Sequence, residues 1–225
     1  MLIIENLSKS FGSNKVLKSI SITFEKGKVY GIVGENGSGK TTLFNCIAEL
    51  ENFEGIIKDD FEKRKNTLGF LQTEPYFFSK ITGKEYLQLL CNARNVKIED
   101  FEDKNIFDLP LNQYAATYST GMKKKLALTA ILIQKNNLFI LDEPFNGVDI
   151  QSNIIITEII NRLKEVNKTV IISSHIFSTL NETCDAIFVL KNGKVSEKVL
   201  KEDFKKLELE MKMFSIGNKI DKLEL

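Results

Sequence analysis

The stretch Gly34-Glu35-Asn36-Gly37-Ser38-Gly39-Lys40-Thr41-Thr42 decides how the rest of the sequence is interpreted. It matches the pattern G-x-x-x-x-G-K-[ST], in which glycines let the backbone bend until its N–H groups point at phosphate oxygens. Lys40 would place a positive charge on the terminal phosphates, and the Thr41 hydroxyl can bind a magnesium ion. The stretch therefore predicts a site for the phosphates of a nucleoside triphosphate.

The flanking residues predict the setting that this pattern requires. Residues 29–33 have the length and composition of a short buried strand, and residues 43–48 are typical of a helix. The phosphates would then lie at a helix N-terminus, where backbone N–H groups and the helix dipole favour negative charge. A glycine-rich turn without a ligand is the alternative, and the complete match in this setting disfavours it.

Composition limits the classes of function. The chain has 225 residues, and its 31 basic and 30 acidic side chains leave a net charge of +1, which gives no electrostatic reason to expect a nucleic acid partner. The sequence shows neither a signal peptide nor an apolar run near the ~20 residues of a membrane span. Cys46, Cys91 and Cys184 lack metal-ligand spacing and suit a reducing cytosol. We therefore expect a cytosolic protein.

A second buried strand is predicted to end in two acids. Residues 137–141 are apolar apart from the first, as is typical of a central strand, and Asp142 and Glu143 follow directly. Adjacent carboxylates there are costly to desolvate unless a positive group is near, and ligands gather at the carboxyl ends of parallel strands. We expect Asp142 to complete the surroundings of the magnesium ion. Glu143 fits a general base that polarises an attacking water.

Two residues near other predicted strands are further candidates. His175 is the only histidine and comes two residues after the predicted buried strand 169–173, so we interpret it as functional. Phe11 lies in the polar segment 8–14, which we expect to be a loop between strands at 2–6 and 20–24. Its ring could stack on a nucleotide base or fill a gap in the core, and both interpretations remain open.

The segment from about residue 79 to 135 has helical periodicity. Tyr118-Ser119-Thr120-Gly121-Met122 precedes a helix predicted from Lys123 to Gln134. By itself the Ser-Thr-Gly sequence is an ordinary N-cap signal, and Lys123-Lys124-Lys125 reads as a solvated helix face. The charged tail after residue 200 offers one further helix, which we expect to pack on the surface.

Taken together, the motifs resemble those of the ATP-binding cassette ATPases over nearly the whole chain and in the same order. Residues 34–42 are similar to the family's phosphate loop, and residues 119–122 to its signature. The remaining correspondences are Gln72 with the magnesium- and water-sensing glutamine, Asp142 and Glu143 with the acidic strand end, Asp149 with the dimer loop, His175 with the switch histidine and Phe11 with the adenine-stacking aromatic.

The resemblance implies an α/β fold: a P-loop NTPase (RecA-like) core with a small antiparallel β subdomain and a helical subdomain. A single domain would span residues 1–225. Its nucleotide-binding core would take up about 1–75 and 136–225, and its helical subdomain about 76–135.

The resemblance also implies a mechanism. Two cassettes, identical or related, would pack head to tail, so that Ser119 and the Gly121 amide contact the γ-phosphate of the neighbour's ATP. Mg²⁺ would be held by Thr41, Gln72 and Asp142. Dimer closure on ATP and reopening after hydrolysis would drive a membrane permease on a separate chain, which would hold this subunit at the cytoplasmic face of the membrane.

The signature departs from the usual Leu-Ser-Gly-Gly-Gln at Tyr118, Thr120 and Met122, and keeps Ser119 and Gly121. This altered form resembles cassettes paired with export permeases for drugs, peptide antibiotics or surface polymers. A soluble P-loop kinase would leave the signature and the histidine unexplained. A non-transport cassette acting on DNA or ribosomes would bring a long coiled-coil insertion or a second cassette, and the sequence has neither.

Overall fold

The computed structural model describes residues 1–60 and 64–216, and in that part of the chain the strands form two sheets. The strands are β1 (Leu2–Phe11), β2 (Asn14–Phe24), β3 (Val29–Val33), β4 (Glu54–Asp59), β5 (Leu68–Leu71), β6 (Leu138–Asp142), β7 (Thr169–Ser173), β8 (Ala186–Lys191) and β9 (Lys194–Leu200). The helices are α1 (Lys40–Ile47), α2 (Gly83–Asn92), α3 (Thr120–Ile133), α4 (Ile150–Glu165), α5 (Phe177–Thr183) and α6 (Phe204–Ile216).

The larger sheet has six strands in the order β5-β6-β7-β3-β8-β9. Its first five strands are parallel, and the hairpin from β8 makes β9 antiparallel. In the register of this sheet Ser173 lies beside both Asp142 and Ile32. The carboxyl ends of β3, β6 and β7 therefore meet at one edge, where ligands of parallel sheets collect.

The central strands are buried on both faces, which explains their unbroken apolar sequences. Every residue of β3, β6 and β7 is buried. Tyr30 and Ile32 point into a core shared with α1 and the smaller sheet, whereas Val29 and Val33 point into a core shared with α3, α4 and α6. Each fully buried Val or Ile stabilises the fold by roughly 1.5–3 kcal/mol, so the sheet is a rigid support for the loops at its edge.

The smaller sheet is antiparallel, in the order β2-β1-β4. Its first two strands are longer than predicted, and Phe11 lies at the end of β1, opposite Asn14, instead of in a loop. Irregular register along β1 and β2 accommodates the polar residues within the ladder. The turn between the strands is therefore confined to Gly12 and Ser13, and the prediction of a loop over 8–14 is wrong.

The segment between β5 and β6 carries α2 and α3. Thr82 and Glu85 form both hydrogen-bonded halves of a capping box at the start of α2, while Ser119 caps α3. Helix α3 begins three residues before the predicted Lys123.

Helix α6 buries Phe204 and Leu207 in the core, so the expectation of mere surface packing for the tail is wrong. The subdomain boundaries stay a prediction, and residues 217–225 of the predicted domain lie outside the described residues.

Candidate functional site

The carboxyl ends of β3, β6 and β7 border an open cavity of about 540 Å³. The cavity therefore brings the phosphate-loop motif, the two acids and the histidine together, although they are far apart in the sequence. Its lining consists of Val16, Asn36, Gly37, Gly39, Lys40, Thr41, Thr42, Thr73, Asp142, Glu143, Asn146 and His175.

The phosphate-loop residues present backbone and cationic donors to this cavity. Helix α1 begins directly after Gly39, whose φ of 108° is open to glycine and costly for other residues, and no side chain caps this helix start. Lys40 is 9% exposed, and its ammonium donates to the carbonyls of Gly34 at 2.8 Å and Glu35 at 3.3 Å. Burial lowers the pKa of Lys40, an effect that the carboxylates of Glu143 and Asp142 oppose.

Two features of the loop favour an anionic ligand in the cavity. The N-terminus of α1 lies at Lys40, where no side chain caps the helix, and Gly39, Lys40 and Thr41 line the cavity. The backbone N–H groups of this helix start and the Lys40 ammonium together favour a phosphate group at this position. The Ser38 hydroxyl is buried without a hydrogen-bond partner among the described residues, and Ser38 does not line the cavity.

Asp142 is held by three hydroxyl groups. It is 1% exposed. Its Oδ2 accepts hydrogen bonds from Thr41 at 2.7 Å and Thr73 at 2.8 Å, and its Oδ1 accepts one from Ser173 at 2.6 Å. These donors compensate the desolvation of a buried carboxylate and fix its orientation. The Thr41 hydroxyl and this carboxylate are oxygen donors of the kind that Mg²⁺ prefers.

Glu143 is fixed through its main chain and presents its carboxylate to the cavity. Its φ of 52° lies in the left-handed region, which is uncommon for residues other than glycine. Its N–H donates to Ser173 Oγ at 2.9 Å, and its carbonyl accepts from Lys124 Nζ at 2.7 Å. Its Oε1 lies 3.2 Å from Nε2 of the half-exposed His175, without the alignment of a hydrogen bond. This buried oxygen can accept a proton from a water molecule in the cavity.

In this structure Gln72 does not line the phosphate cavity, and its role in the site stays a prediction. Gln72 is exposed and lines a different cavity of about 570 Å³, beside Tyr76 and Arg94. The next residue, Thr73, lines the phosphate cavity and donates to Asp142. Successive residues of an extended chain point to opposite sides, so a one-residue difference in register exchanges the two. No feature of the sequence alone fixes that register.

Other candidates also do not line the cavity, namely Gly34, Glu35 and Ser38 of the phosphate loop and the more distant Phe11, Ser119, Gly121 and Asp149. Phe11 is 47% exposed and has the ammonium of Lys9 4.6 Å from its ring centroid. Ser119 and Gly121 lie at the start of α3, where the Ser119 hydroxyl accepts from the Met122 N–H at 3.2 Å.

Asp149 likewise lies away from the cavity, at the N-cap of α4. Its carboxylate accepts from the Ser152 N–H at 2.8 Å, and from Lys125 at 3.3 Å. The hydrogen bonds from Ser152, with a smaller contribution from Lys125, hold the pKa of Asp149 well below its ordinary value. Asp149 is therefore charged at neutral pH.

Lys124 contradicts the interpretation of Lys123-Lys124-Lys125 as a solvated helix face. It is 2% exposed, and its ammonium donates to the Glu143 and Asn146 carbonyls, each at 2.7 Å. A signal was present in the sequence, because Lys124 falls on the same helical stripe as the buried Ala127 and Leu128. Burial lowers its pKa, opposed by the nearby carboxylates, of which Glu143 is the strongest.

Comparison with known proteins agrees with the interpretation of this cavity as a phosphate site. A family model described as ABC transporter matches residues 17–146. The chain belongs to the ABC transporter family. Within that family it is an ATP-binding subunit that hydrolyses ATP, and its α/β P-loop fold is the one expected. No helix in residues 1–60 and 64–216 has the length and apolarity needed to cross a membrane.

Individual members of the family are also similar to this chain. The ABC transporter ATP-binding protein NatA of Bacillus subtilis is 34% identical over 197 residues, which cover 80% of each chain. The bacitracin transport ATP-binding protein BcrA of Enterococcus faecalis is 32% identical over 208 residues, which cover 87% of this chain and 68% of BcrA. The ATP-binding cassette MJ0796, a dimer bound to ADP and Pi after hydrolysis, shares the fold with a TM-score of 0.79 at 20% identity, over 89% of this chain and 99% of that one.

Proposed function

We propose that this chain is one of two ATPase subunits that drive a separate membrane permease, with Glu143 as the general base. The observation that carries this proposal is the convergence of Lys40, Asp142 and Glu143 at one cavity. A cation for the phosphates, a carboxylate for the metal and a carboxylate for the water are the parts that ATP hydrolysis needs.

The chemistry assigns each of these groups a role. The backbone N–H groups of residues 36–42 and the Lys40 ammonium bind the phosphates of ATP. Glu143 Oε1 accepts the proton of the attacking water, and the fixed main chain of Glu143 keeps this oxygen facing the γ-phosphate. His175 contacts the same phosphate from its place beside Oε1.

We assign Mg²⁺ to the Thr41 hydroxyl and Asp142, which lie together at 2.7 Å. Mg²⁺ is usually held by one or two carboxylates together with the substrate phosphates, and these donors fit that pattern. A Mg²⁺ ion bound there would neutralise charge that develops on the phosphates. Thr73 shares Oδ2 of the same carboxylate and is better placed than Gln72 to respond to the ion and the γ-phosphate.

The second subunit supplies the other half of each ATP site. Ser119 is exposed at the N-terminus of α3 and lies outside its own chain's cavity, so the donors of this helix start are available to a neighbour's nucleotide. The dimeric state of MJ0796 supports pairing of this kind. Whether the neighbour is identical or related does not alter the arrangement.

The permease is assigned to the groove that contains Gln72, between the end of α1 and helices α2 and α3. Tyr76 and Leu50 lie there, 73% and 59% exposed. Arg94 donates one N–H to the Leu68 carbonyl, while its Nη1 is buried without a hydrogen-bond partner in the described residues. A short permease helix with an apolar side chain and an oxygen acceptor would satisfy both features. This contact would hold the subunit at the cytoplasmic face of the membrane, and the name of BcrA, a bacitracin transport ATP-binding protein, favours a role in transport.

The test is the variant Glu143→Gln. We expect ATP turnover to fall by about 100- to 10,000-fold, because the amide cannot take the proton of the water, while ATP binding persists. Phosphate release and equilibrium binding of ATP measure the two effects, and light scattering follows an ATP-dependent dimer that the variant should accumulate.

The control is Glu158→Gln, the same change on the exposed side of α4. It should match the parent in every assay. Equal turnover in Glu143→Gln and the parent would remove Glu143 from the base role. Phosphate transferred to an acceptor molecule, without release to water, would favour a kinase instead.

A further inference from the structure

Lys124 is a fully buried cation whose position the chemistry above does not use. Burying a charged ammonium is costly unless strong acceptors surround it. Here the acceptors are two main-chain carbonyls, Glu143 O and Asn146 O, each 2.7 Å from Nζ. The two carbonyls belong to the loop that follows β6, and the lysine belongs to α3. The contact therefore ties two separate elements together through the backbone of one of them.

One of the two carbonyls that Lys124 contacts belongs to Glu143, the proposed base, and this contact helps to orient that residue. Glu143 has a φ of 52°, a conformation that persists only when its surroundings impose it. Ser173 on β7 holds the N–H of Glu143, and Lys124 holds its carbonyl. The residue is thus fixed from both sides. Removing either contact would let the backbone relax and turn the carboxylate away from the cavity.

The first turns of α3 contact the same loop at two further points. A Cβ atom on Gly121 would lie 2.6 Å from the Gly147 carbonyl oxygen, so the two backbones are packed against each other. Lys125 Nζ lies 3.3 Å from Asp149 Oδ2 at the end of the loop. The loop of residues 143–149 therefore rests along one face of α3, and Lys124 is the contact closest to Glu143.

We propose that Lys124 is a positioning residue for ATP hydrolysis, which holds the main chain of Glu143 and couples it to the start of α3. A movement of Ser119 and Gly121 then changes the orientation of the Glu143 carboxylate. This inference rests on the proposed function only in taking Glu143 as the base. The phosphate contacts of Lys40 are made by other elements, so Lys124 affects turnover and leaves ATP affinity alone.

The variant Lys124→Met tests this, since it keeps most of the side chain and removes the donors. We expect kcat to fall about 10- to 100-fold, the usual cost of a reacting group displaced by about 1 Å, with KM for ATP changed by less than about 2-fold. Thermal stability should fall modestly, because the buried Glu143 carbonyl and the Asn146 carbonyl lose the ammonium donor. Lys124→Gln, which keeps a shorter N–H donor, should recover part of kcat.

The matched control is Lys123→Met, one residue earlier on α3, where no hydrogen bond or ion pair of the ammonium is found within the described residues. It should keep the parent kcat. If Lys124→Met keeps more than half of the parent kcat, the proposal is overturned. A loss of kcat accompanied by a similar loss of ATP affinity also overturns it, because that pattern means that the phosphate cavity is damaged as well.

Hydrogen exchange gives a readout that does not depend on ATPase activity. The Asn146 N–H donates to the Glu143 carbonyl at 3.2 Å, so its exchange reports the order of this loop. In Lys124→Met we expect this amide to exchange at least about 10-fold faster, while amides of β6 are unchanged. Unchanged exchange at Asn146 would overturn the proposal. If the parent itself failed to hydrolyse ATP, the proposed function would fail and this measurement would still decide the role of Lys124.

Discussion

The two halves of the proposed ATP site are built differently. Around the cavity, Lys40, Asp142 and Glu143 are at most 9% exposed and are fixed by hydrogen bonds to neighbouring elements. At the start of α3, Ser119 is exposed, and its hydroxyl bonds only to the next turn of its own helix among the contacts in the described residues. The first half is therefore organised by folding, whereas the second depends on a partner to give it a ligand.

This difference separates binding from turnover. A single chain already brings together the groups that bind phosphate, so affinity for ATP belongs to the cavity. In the proposed dimer, turnover needs the helix start as well, because that start would cap a neighbour's nucleotide and because it contacts the loop carrying Glu143. Variants in the cavity should therefore lose ATP affinity, whereas variants at the start of α3 should lose turnover and keep ATP affinity.

The largest effect is expected from Lys40→Met. The variant removes the buried cation of the cavity, and loss of a buried charge partner weakens binding by about 30-fold to more than 1,000-fold. Equilibrium binding of ATP to the isolated chain measures the loss. The exposed Lys205 provides a control, since it lies on α6 and does not line the phosphate cavity, so Lys205→Met should keep the parent affinity. Equal ATP affinity in Lys40→Met and the parent would contradict the division between the two halves.

A smaller and different effect is expected from Gly121→Ala. The new methyl group would meet the Gly147 carbonyl at 2.6 Å, and because that neighbour is backbone, the helix start and the loop must separate. We expect turnover to fall by about 10- to 100-fold with ATP binding retained. Steady-state kinetics and a binding titration distinguish the two quantities. The exposed Thr120→Ala should behave as the parent, and a parallel loss of ATP affinity in Gly121→Ala would show that the halves are not separable.

The smallest effect is expected from Thr73→Val, which removes one of the two hydroxyl donors to Asp142 Oδ2 and keeps the shape of the side chain. A lost hydrogen bond to a charged group costs about 1.5–3 kcal/mol at most, and the remaining donor compensates part of it, so we expect turnover to fall by about 3- to 10-fold. Gln72→Ala should leave the turnover of the isolated subunit unchanged. If Gln72→Ala lowers turnover and Thr73→Val does not, Gln72 and not Thr73 belongs to the site.

Sequence patterns located most of the cavity because its residues sit at fixed offsets from buried strands. The unbroken apolar runs before Gly34, Asp142 and His175 identify parallel strands, and parallel strands must end at one edge. The fold class followed from the resemblance of these motifs to those of the ATP-binding cassette ATPases. The inferences about the cavity depend only on local sequence and on the rule that parallel strands of one sheet end at the same edge.

The remaining residues depend on contacts that local sequence does not specify. Gln72 and Thr73 differ by one position in an extended segment, and either side chain is polar enough for the site. Lys124 looks like its two neighbours until the carbonyls of the next loop are placed beside it. Phe11 was expected in a loop because polar residues surround it, yet the paired backbone of β1 extends to it.

The Ser173 hydroxyl gives the acidic pair a shared anchor. The hydroxyl donates to the Asp142 carboxylate and accepts from the backbone N–H of Glu143. The two acids are therefore both anchored to a single atom on the adjacent strand β7. Any sliding of β7 against β6 would displace both acids in concert. The relative position of these two acids is thereby tied to the packing of β6 against β7, whereas α3 contacts only the loop that follows.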